Sequence, residues 1–390
     1  MPTQAQQVVA ASAADETPTA PGRTLAEVLD VDRLSVAART LVASLAQCPD
    51  LPLGLARQGV ILRRQGQEAD AAALARAAQR LAPDDYRVSV LSEWLNRRDG
   101  PPLWHFGMIH DHQRNETYAR ALRHYVQPGM IVFEIGAGTG ILAMLAVQAG
   151  AAHVYTCELR ADIAATARAI IERNGFGDRI TVLHKDARDL RLGTDLPTRA
   201  DLLVSEVIDD NLLGEFVLGL TEFARAHLLT PDAILLPSAV GSVGYLMTGR
   251  GHREDYRVDR VMGFDLSPFN RFAPTELCAE RTGGLLDPLT EAVELARFDL
   301  HCDAPAEATH RVTLTANRAG LGECILRWLR LDFGADIRFE NRPPQHSDWL
   351  PQINVLPRPR QFEPGDRLEL EVYHNREWLY LWPVPEGGVR

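Results

Sequence analysis

The chain has 390 residues, 46% of them hydrophobic and 24% charged, the balance of a globular protein with room for two or three domains. Its net charge of -11 excludes a general nucleic-acid binder, because phosphate contacts require a basic face. No apolar run approaches a membrane span, and the five scattered cysteines make no C-x-x-C pair, so neither a membrane span, a disulfide framework nor a zinc site is expected, and a reducing cytoplasmic setting is.

Residues 1–23 are Ala, Thr, Gln and Pro with few bulky side chains, and a disordered leader is expected there. From 24 to about 100 the pattern turns helical. Leu55, Gly59, Leu62, Gly66, Ala71, Ala75, Ala78, Leu81 and Pro83 resemble one tetratricopeptide repeat, and Pro49-Asp50 recurs as Pro83-Asp84 at the 34-residue period of that repeat. Two imperfect repeats that bind a protein partner, or an ordinary helical cap on the next domain, both satisfy the pattern. Of the 41 basic residues only Lys185 is a lysine, a bias that points to a GC-rich bacterial genome.

Arg98-Asp99-Gly100-Pro101-Pro102 concentrates helix breakers and marks a boundary, after which residues 101–237 alternate strand and helix. A helix over 104–125 leads into an apolar strand from Ile131. That strand runs into glycines at 136, 138 and 140, and a helix follows over 141–148. Glycine permits positive φ in such a turn, and the helix start offers unpaired N–H groups and a positive dipole end. Residues 153–157 read as the next strand, and Glu158 at its end can take both hydroxyls of a ribose. Further strands are expected at 180–183 and 200–204 and a helix at 221–229. Lys185-Asp186-Ala187 lies where an adenine edge would be met. Glu134 to Gly140 reads E-x-G-x-G-x-G, its third glycine one residue earlier than a dinucleotide fingerprint wants. This compressed form resembles the first motif of class I methyltransferases, whose cofactor has no phosphates, and methyl transfer is favoured over hydride transfer.

Beyond Pro237 strands follow one another without helices between them, at 239–247, 311–316, 324–333, 352–356 and 367–373, which predicts a β-sandwich or barrel over 238–390. Residues 252–271 look helical and irregular, an excursion from that body.

The second informative stretch is Val204-Ser205-Glu206-Val207-Ile208-Asp209-Asp210-Asn211-Leu212-Leu213-Gly214-Glu215. Glutamates nine apart do not share a helix face. A loop that leaves a strand end and doubles back can aim both at one pocket, at the sheet end where α/β folds bind ligands. Two converging carboxylates need a cation between them, or one must keep its proton, and a guanidinium supplies that cation as a bidentate fork. Solvated surface acids, or ligands for a hard divalent cation, are the alternatives.

With these residues in place, the segment from Trp104 to about Leu356 resembles the protein arginine methyltransferases. Met108-Ile-His-Asp-His-Gln-Arg-Asn115 is similar to the helix before their cofactor strand, and Glu206 to Glu215 to their double-glutamate loop. Gly263-Phe264-Asp265 is similar to a motif near their dimerisation arm, and Ser347-Asp348-Trp349 lies where they carry Thr-His-Trp. The Glu-x-x-Asp-x-x-Leu-x-Gly-Glu spacing is closest to the monomethylating branch.

The resemblance implies a Rossmann-like domain and a β-barrel with a dimerisation arm at about 250–272, hence a homodimer. It also implies S-adenosyl-L-methionine as cofactor, with Met108, Arg114, Glu134, Gly136, Gly138, Glu158, Asp186 and Ala187 at its site. Arg114 would pair with the cofactor carboxylate, Gly136 and Gly138 pass beneath its methionyl part, Glu158 take the ribose, and Asp186 with Ala187 lie by the adenine. Glu206 and Glu215 would grip the guanidinium of an arginine, free or in a polypeptide, with Asp348 and Trp349 beside it. Free L-arginine, methylated once for a specialised metabolite, is the favoured substrate. Asp209 and Asp210 are candidates for its α-amino group. Asp348 departs from the family histidine, whose partner is matched by Asp111; two aspartates can approach only with a shared proton, a cation between them or a rearranged loop.

Overall fold

The computed structural model describes residues 24–45, 48–96, 104–249, 257–279, 287–345 and 347–385. Two units emerge from the contacts within the chain, Met1–Pro102 and Leu103–Arg390. The expected leader over 1–23 and the breaker-rich boundary at 98–102 lie outside the described residues.

In the first unit helices Leu51–Arg64, Glu68–Leu81 and Tyr86–Asn96 pack on one another, preceded by the shorter Leu25–Val28 and Val36–Ala43. Asp50 starts the first of the three by accepting the Leu53 N–H at 3.2 Å, with a proline in the opening turn. Buried alanines at 71, 75 and 78 share one core with buried Leu55, Leu62 and Leu74. A Cβ on Gly59 would lie 2.8 Å from Leu95 and 3.1 Å from the Ala71 carbonyl oxygen, so this close approach needs glycine.

The second unit opens with two helices, Trp104–His110 and His112–Tyr125, where one was expected. Asp111 makes the break. Its carboxylate accepts the Arg114 N–H at 2.9 Å and caps the second helix, a local bond that competes with helix continuation. A parallel sheet follows, built from β1 (Ile131–Ile135), β2 (His153–Glu158), β3 (Ile180–His184), β4 (Ala200–Ser205) and β5 (Leu229–Leu236), in the order β3-β2-β1-β4-β5. Helices Ile141–Ala149, Ala161–Arg173 and Val217–His227 pack on it; the last starts four residues earlier than the sequence suggested. Register decides where the site sits. Ile135 pairs with Ser205, so Gly136 and Glu206 leave the sheet side by side, at the point where the strand order reverses.

The remaining strands are antiparallel: β6 (Ala239–Met247), β7 (Arg260–Val261), β8 (Phe264–Asp265), β9 (Glu276–Cys278), β10 (Val293–Asp299), β11 (Ala308–Thr315), β12 (Gly320–Gly334), β13 (Ile337–Glu340), β14 (Gln352–Phe362), β15 (Arg367–His374) and β16 (Leu379–Pro383). One sheet runs β10-β6-β12-β14-β9 with β13 on β12, another β11-β15-β16. They share a core that includes Leu246, Leu314, Ile325, Phe362 and Leu370. Among the described residues these strands, apart from the short β7-β8 pair, form two sheets, not one closed ladder.

The excursion expected to be helical differs in its described part. β7 and β8 form a hairpin around Met262 and Gly263, both at positive φ (52° and 88°), and a 3-10 turn Ser267–Phe272 follows. A two-residue turn with positive φ at both positions matches strand twist, which favours a hairpin here. Its apolar side chains face outward: Met262 is 90% exposed, Phe264 70%, Phe269 66%.

Candidate active site

The glycine turn is held from behind by β2, whose Cys157 carbonyl accepts the N–H groups of Gly136 (3.1 Å) and Ala137 (2.9 Å). Gly136, Gly138 and Gly140 all take positive φ. A Cβ on Gly140 would strike Ile171 at 2.9 Å, whereas at Gly138 it would meet only open space. That pattern is a packed turn with one open face, the form a ligand can lie against. Glu158 borders the open face, with one carboxylate oxygen accepting the Gly138 N–H at 3.2 Å and the other the Arg160 N–H at 2.9 Å. Glu134 sits deeper, 1% exposed, with the Ala143 N–H among the groups that favour its charge. Burial nevertheless pushes its carboxyl up to about 8, and one oxygen has no partner. Asp186 is clasped by its neighbour Arg188 at 3.0 and 2.7 Å, which lowers its carboxyl, and Ala187 beside it is buried.

The loop after β4 meets the helix break at 111. Tyr118, fully buried, donates its hydroxyl to the Ser205 carbonyl at 2.9 Å and fixes the last residue before the loop. Arg114 reaches over it. Its Nη2 donates to Glu206 at 2.5 Å, its Nη1 to the Met108 carbonyl at 2.8 Å and to Asn115 at 2.9 Å, while the buried Nε finds no acceptor. Both side chains of the Arg114–Glu206 pair are nearly inaccessible, at 4% and 6%. Arg114, expected to pair with the cofactor carboxylate, pairs here with Glu206.

Glu206 and Glu215 are both pushed up to about 7, chiefly by burial. Arg114 opposes the rise at Glu206. At Glu215 the neighbouring carboxylates of Glu206, Asp209, Asp210 and Glu158 add to it, and no donor among the described residues pairs with it.

Asp209 and Asp210 each accept a backbone N–H, the first within the loop and the second from the segment after Trp349. Asp209 accepts the Gly214 N–H at 3.0 Å, and Asp210 accepts the Leu350 N–H at 2.7 Å. One oxygen of each carboxylate, offered by the sequence as a candidate for an α-amino group, is thus engaged by a backbone N–H. Among the described residues no group of His, Cys, Asp and Glu is arranged to hold a metal.

The Asp348 puzzle is answered by the rearranged loop. Ser347 donates its hydroxyl to Asp111 at 2.6 Å and the Asp348 N–H adds a longer bond at 3.3 Å, so a hydroxyl and a backbone amide take the place of a charged partner. The Asp348 side chain lies against Gly107, where even a Cβ would come within 1.9 Å of its carboxylate oxygen, and its carboxyl is raised by burial and by Asp111. Trp349 is wall and core at once: its indole N–H donates to the Ile208 carbonyl at 2.7 Å, its ring meets Phe339 edge-on, and the Arg114 guanidinium carbon lies 5.8 Å from its centroid.

Sequence reasoning assigned no role to Tyr118, Ser347 or Asn211. A small polar residue in an apolar run, as in Asp210-Asn211-Leu212-Leu213, was the signal available for the last of them.

A parallel sheet with an E-x-G-x-G-x-G turn at its switch point, followed by two antiparallel sheets, defines a class I methyltransferase with an appended β domain. Residues 106–238 match the model of the ribosomal protein L11 methyltransferase (PrmA) family. Over 281 residues the chain is 36% identical to an arginine N(omega)-methyltransferase of Streptomyces achromogenes subsp. streptozoticus, covering 70% of this chain and 77% of that one. It is 27% identical over 323 residues to protein arginine N-methyltransferase 7 of Drosophila yakuba, of whose length it spans 46%. The Trypanosoma brucei PRMT1 enzyme-prozyme heterotetrameric complex with AdoHcy superposes with a TM-score of 0.63 at 25% identity, over 69% of this chain and 86% of that one. Arabidopsis thaliana protein arginine methyltransferase 10 shares the fold at a TM-score of 0.60 and 21% identity, over 70% and 90%. The chain belongs to the arginine N-methyltransferase family and is an S-adenosyl-L-methionine-dependent enzyme.

Proposed function

We propose that this protein transfers one methyl group to a terminal guanidino nitrogen of free L-arginine. The observation that carries the proposal is the buried pair of Arg114 and Glu206: one carboxylate of the loop already holds a guanidinium, and Glu215 nearby holds none.

The open face at Gly138 and the unpartnered Nε of Arg114 fit a cofactor with a carboxylate at one end and a ribose at the other. Arg114 would meet the carboxylate, Glu158 the ribose hydroxyls, and Asp186 with Ala187 the adenine. Glu134, set deeper, would hold the turn from beneath. S-adenosyl-L-methionine supplies the methyl group.

Glu206 and Glu215 bind the substrate guanidinium from one side, concentrating its charge on the nitrogens they touch. The remaining nitrogen gains lone-pair character for attack. Low dielectric in the buried pocket strengthens both ion pairs. That nitrogen loses a proton as its new bond forms, and a carboxylate poised near 7 is suited to receive it. Trp349 closes one wall and limits water.

The name of the Streptomyces relative supports free arginine, and the names of the fly relatives support the alternative, peptidyl arginine. Mass spectrometry on parallel reactions tests the choice: free L-arginine should give a monomethyl product with kcat/KM at least about tenfold above arginine blocked at both ends. Blocked or peptidyl arginine reacting as well would replace this reading with the protein-modifying one.

The exposed apolar arm at 258–272 supports a homodimer, and the alanine-faced helices of the first unit support a tetratricopeptide-like module for a protein partner. Five free cysteines fit a reducing bacterial cytoplasm.

A further inference from the structure

The acidic loop has an anchor that this chemistry leaves unused. Asn211 lies between Glu206 and Glu215 and is 2% exposed. Its Oδ1 accepts the Leu379 N–H at 2.7 Å, and its Nδ2 donates to the Leu379 carbonyl at 3.1 Å. An antiparallel neighbour would exchange the same two bonds with one residue of β16, so the side-chain amide stands in for a peptide unit on the end strand of the β11-β15-β16 sheet.

A second layer backs it. Nδ2 lies 3.5 Å from Glu276, which accepts from Asn354 at 2.8 Å and from Arg327, 1% exposed, at 3.1 Å. Directly after the anchor the backbone takes conformations that side chains resist: Leu212, fully buried, has φ 94° and Phe216 has φ 63°. Such residues persist where their surroundings over-determine them.

We propose that Asn211 is a positioning residue for Glu215: by holding both backbone groups of Leu379 it fixes the strained turn through Leu212 and thereby sets how far the Glu215 carboxylate reaches toward the substrate guanidinium. The inference rests on the arginine-methylating reading. It predicts that the anchor governs turnover of arginine and leaves the cofactor site alone, because Arg114, Glu158 and the glycine turn make no bond to Asn211.

The experiment compares Asn211→Leu and Asn211→Asp in the full chain, measuring kcat and KM for L-arginine from about pH 6 to 8.5 and S-adenosylhomocysteine binding by calorimetry. Asn211→Leu keeps the size and loses both bonds; kcat/KM should fall at least about tenfold while the Kd stays within about twofold. Asn211→Asp loses the donor when ionised and regains it when protonated. Its activity relative to wild type should therefore be lowest at about pH 8.5 and recover as the pH falls while the Kd for S-adenosylhomocysteine stays within about twofold across the range, a combination that general loosening of the fold does not produce. Both variants within about twofold of wild type across the range, or a pH-independent loss shared equally by turnover and cofactor affinity, would overturn the assignment. An inactive wild type toward every arginine substrate would instead defeat the underlying reading, and the role of Asn211 with it.

Discussion

Glu215→Gln should make the fold more stable above neutral pH while nearly abolishing activity. Burial, with the charges of Glu206, Asp209, Asp210 and Glu158, raises the carboxyl from 4.5 to about 7. Below the lower value the group is protonated in the folded and the unfolded chain alike. Between the two values the unfolded chain releases its proton and the folded chain keeps it, so stability falls as pH rises and the penalty is complete above about 7. The interval from 4.5 to about 7, at about 1.4 kcal/mol per pH unit, caps that penalty at about 3.5 kcal/mol. Residual solvent access reduces it to roughly 1–2 kcal/mol. The glutamine has no charge to desolvate. Urea unfolding at about pH 8.5 should show the variant more stable by roughly 1–2 kcal/mol, and at about pH 5 nearly equal to wild type. In the same preparation, kcat/KM for arginine should drop by roughly a hundredfold or more, since a guanidinium loses a buried partner. A variant destabilised to the same extent at both pH values would refute the reasoning.

Because Glu206 and Glu215 are both raised to about 7 and act as carboxylates, kcat/KM for arginine should fall as pH drops below about 7, by up to about a hundredfold per unit if both must be charged; a flat profile from pH 6 to 8 would count against the pair. Arg114→Lys replaces a planar fork that reaches Met108, Asn115 and Glu206 with a point charge, and should weaken S-adenosylhomocysteine binding about tenfold or more by calorimetry and lower the melting temperature. Phe264→Glu on the exposed hairpin should convert a dimer to a monomer in light scattering, and a monomeric wild type at micromolar concentration would remove the arm from that role.

The parallel sheet was legible because its strands are short apolar runs that end in marked residues. β1 runs into glycines, β2 ends on Glu158, and the β4 loop carries two glutamates. β5 and the helix Ala161–Arg173 escaped notice, since neither bears such a marker. The break at Asp111 was hidden because a capping aspartate within a polar helix looks like any surface acid until its carboxylate is seen on the Arg114 N–H. At the site, the residue types that bind a guanidinium were readable from charge and spacing. Their internal pairing was not: that Arg114 meets Glu206, that the Ser347 hydroxyl rather than the Asp348 side chain satisfies Asp111, and that Asp210 holds the Leu350 N–H are matters of distance between segments far apart in sequence. The hairpin at 260–265 was mistaken for helix because it is too short for an alternating pattern to register.

The grip of Asn211 on Leu379 also bears on how the protein behaves at high concentration. β16 ends its sheet, and an end strand with open N–H and C=O groups is a template for strand addition by another chain. One such position is covered by the asparagine amide, and Pro383, at the other end of the strand, has no N–H to offer. The loop that carries the acids is thus also a guard on a sheet edge, and replacements that free it would expose a sticky flank as well as move a carboxylate. Losses of yield among such variants would then trace to edge-to-edge pairing between folded molecules, not to failure of the hydrophobic cores.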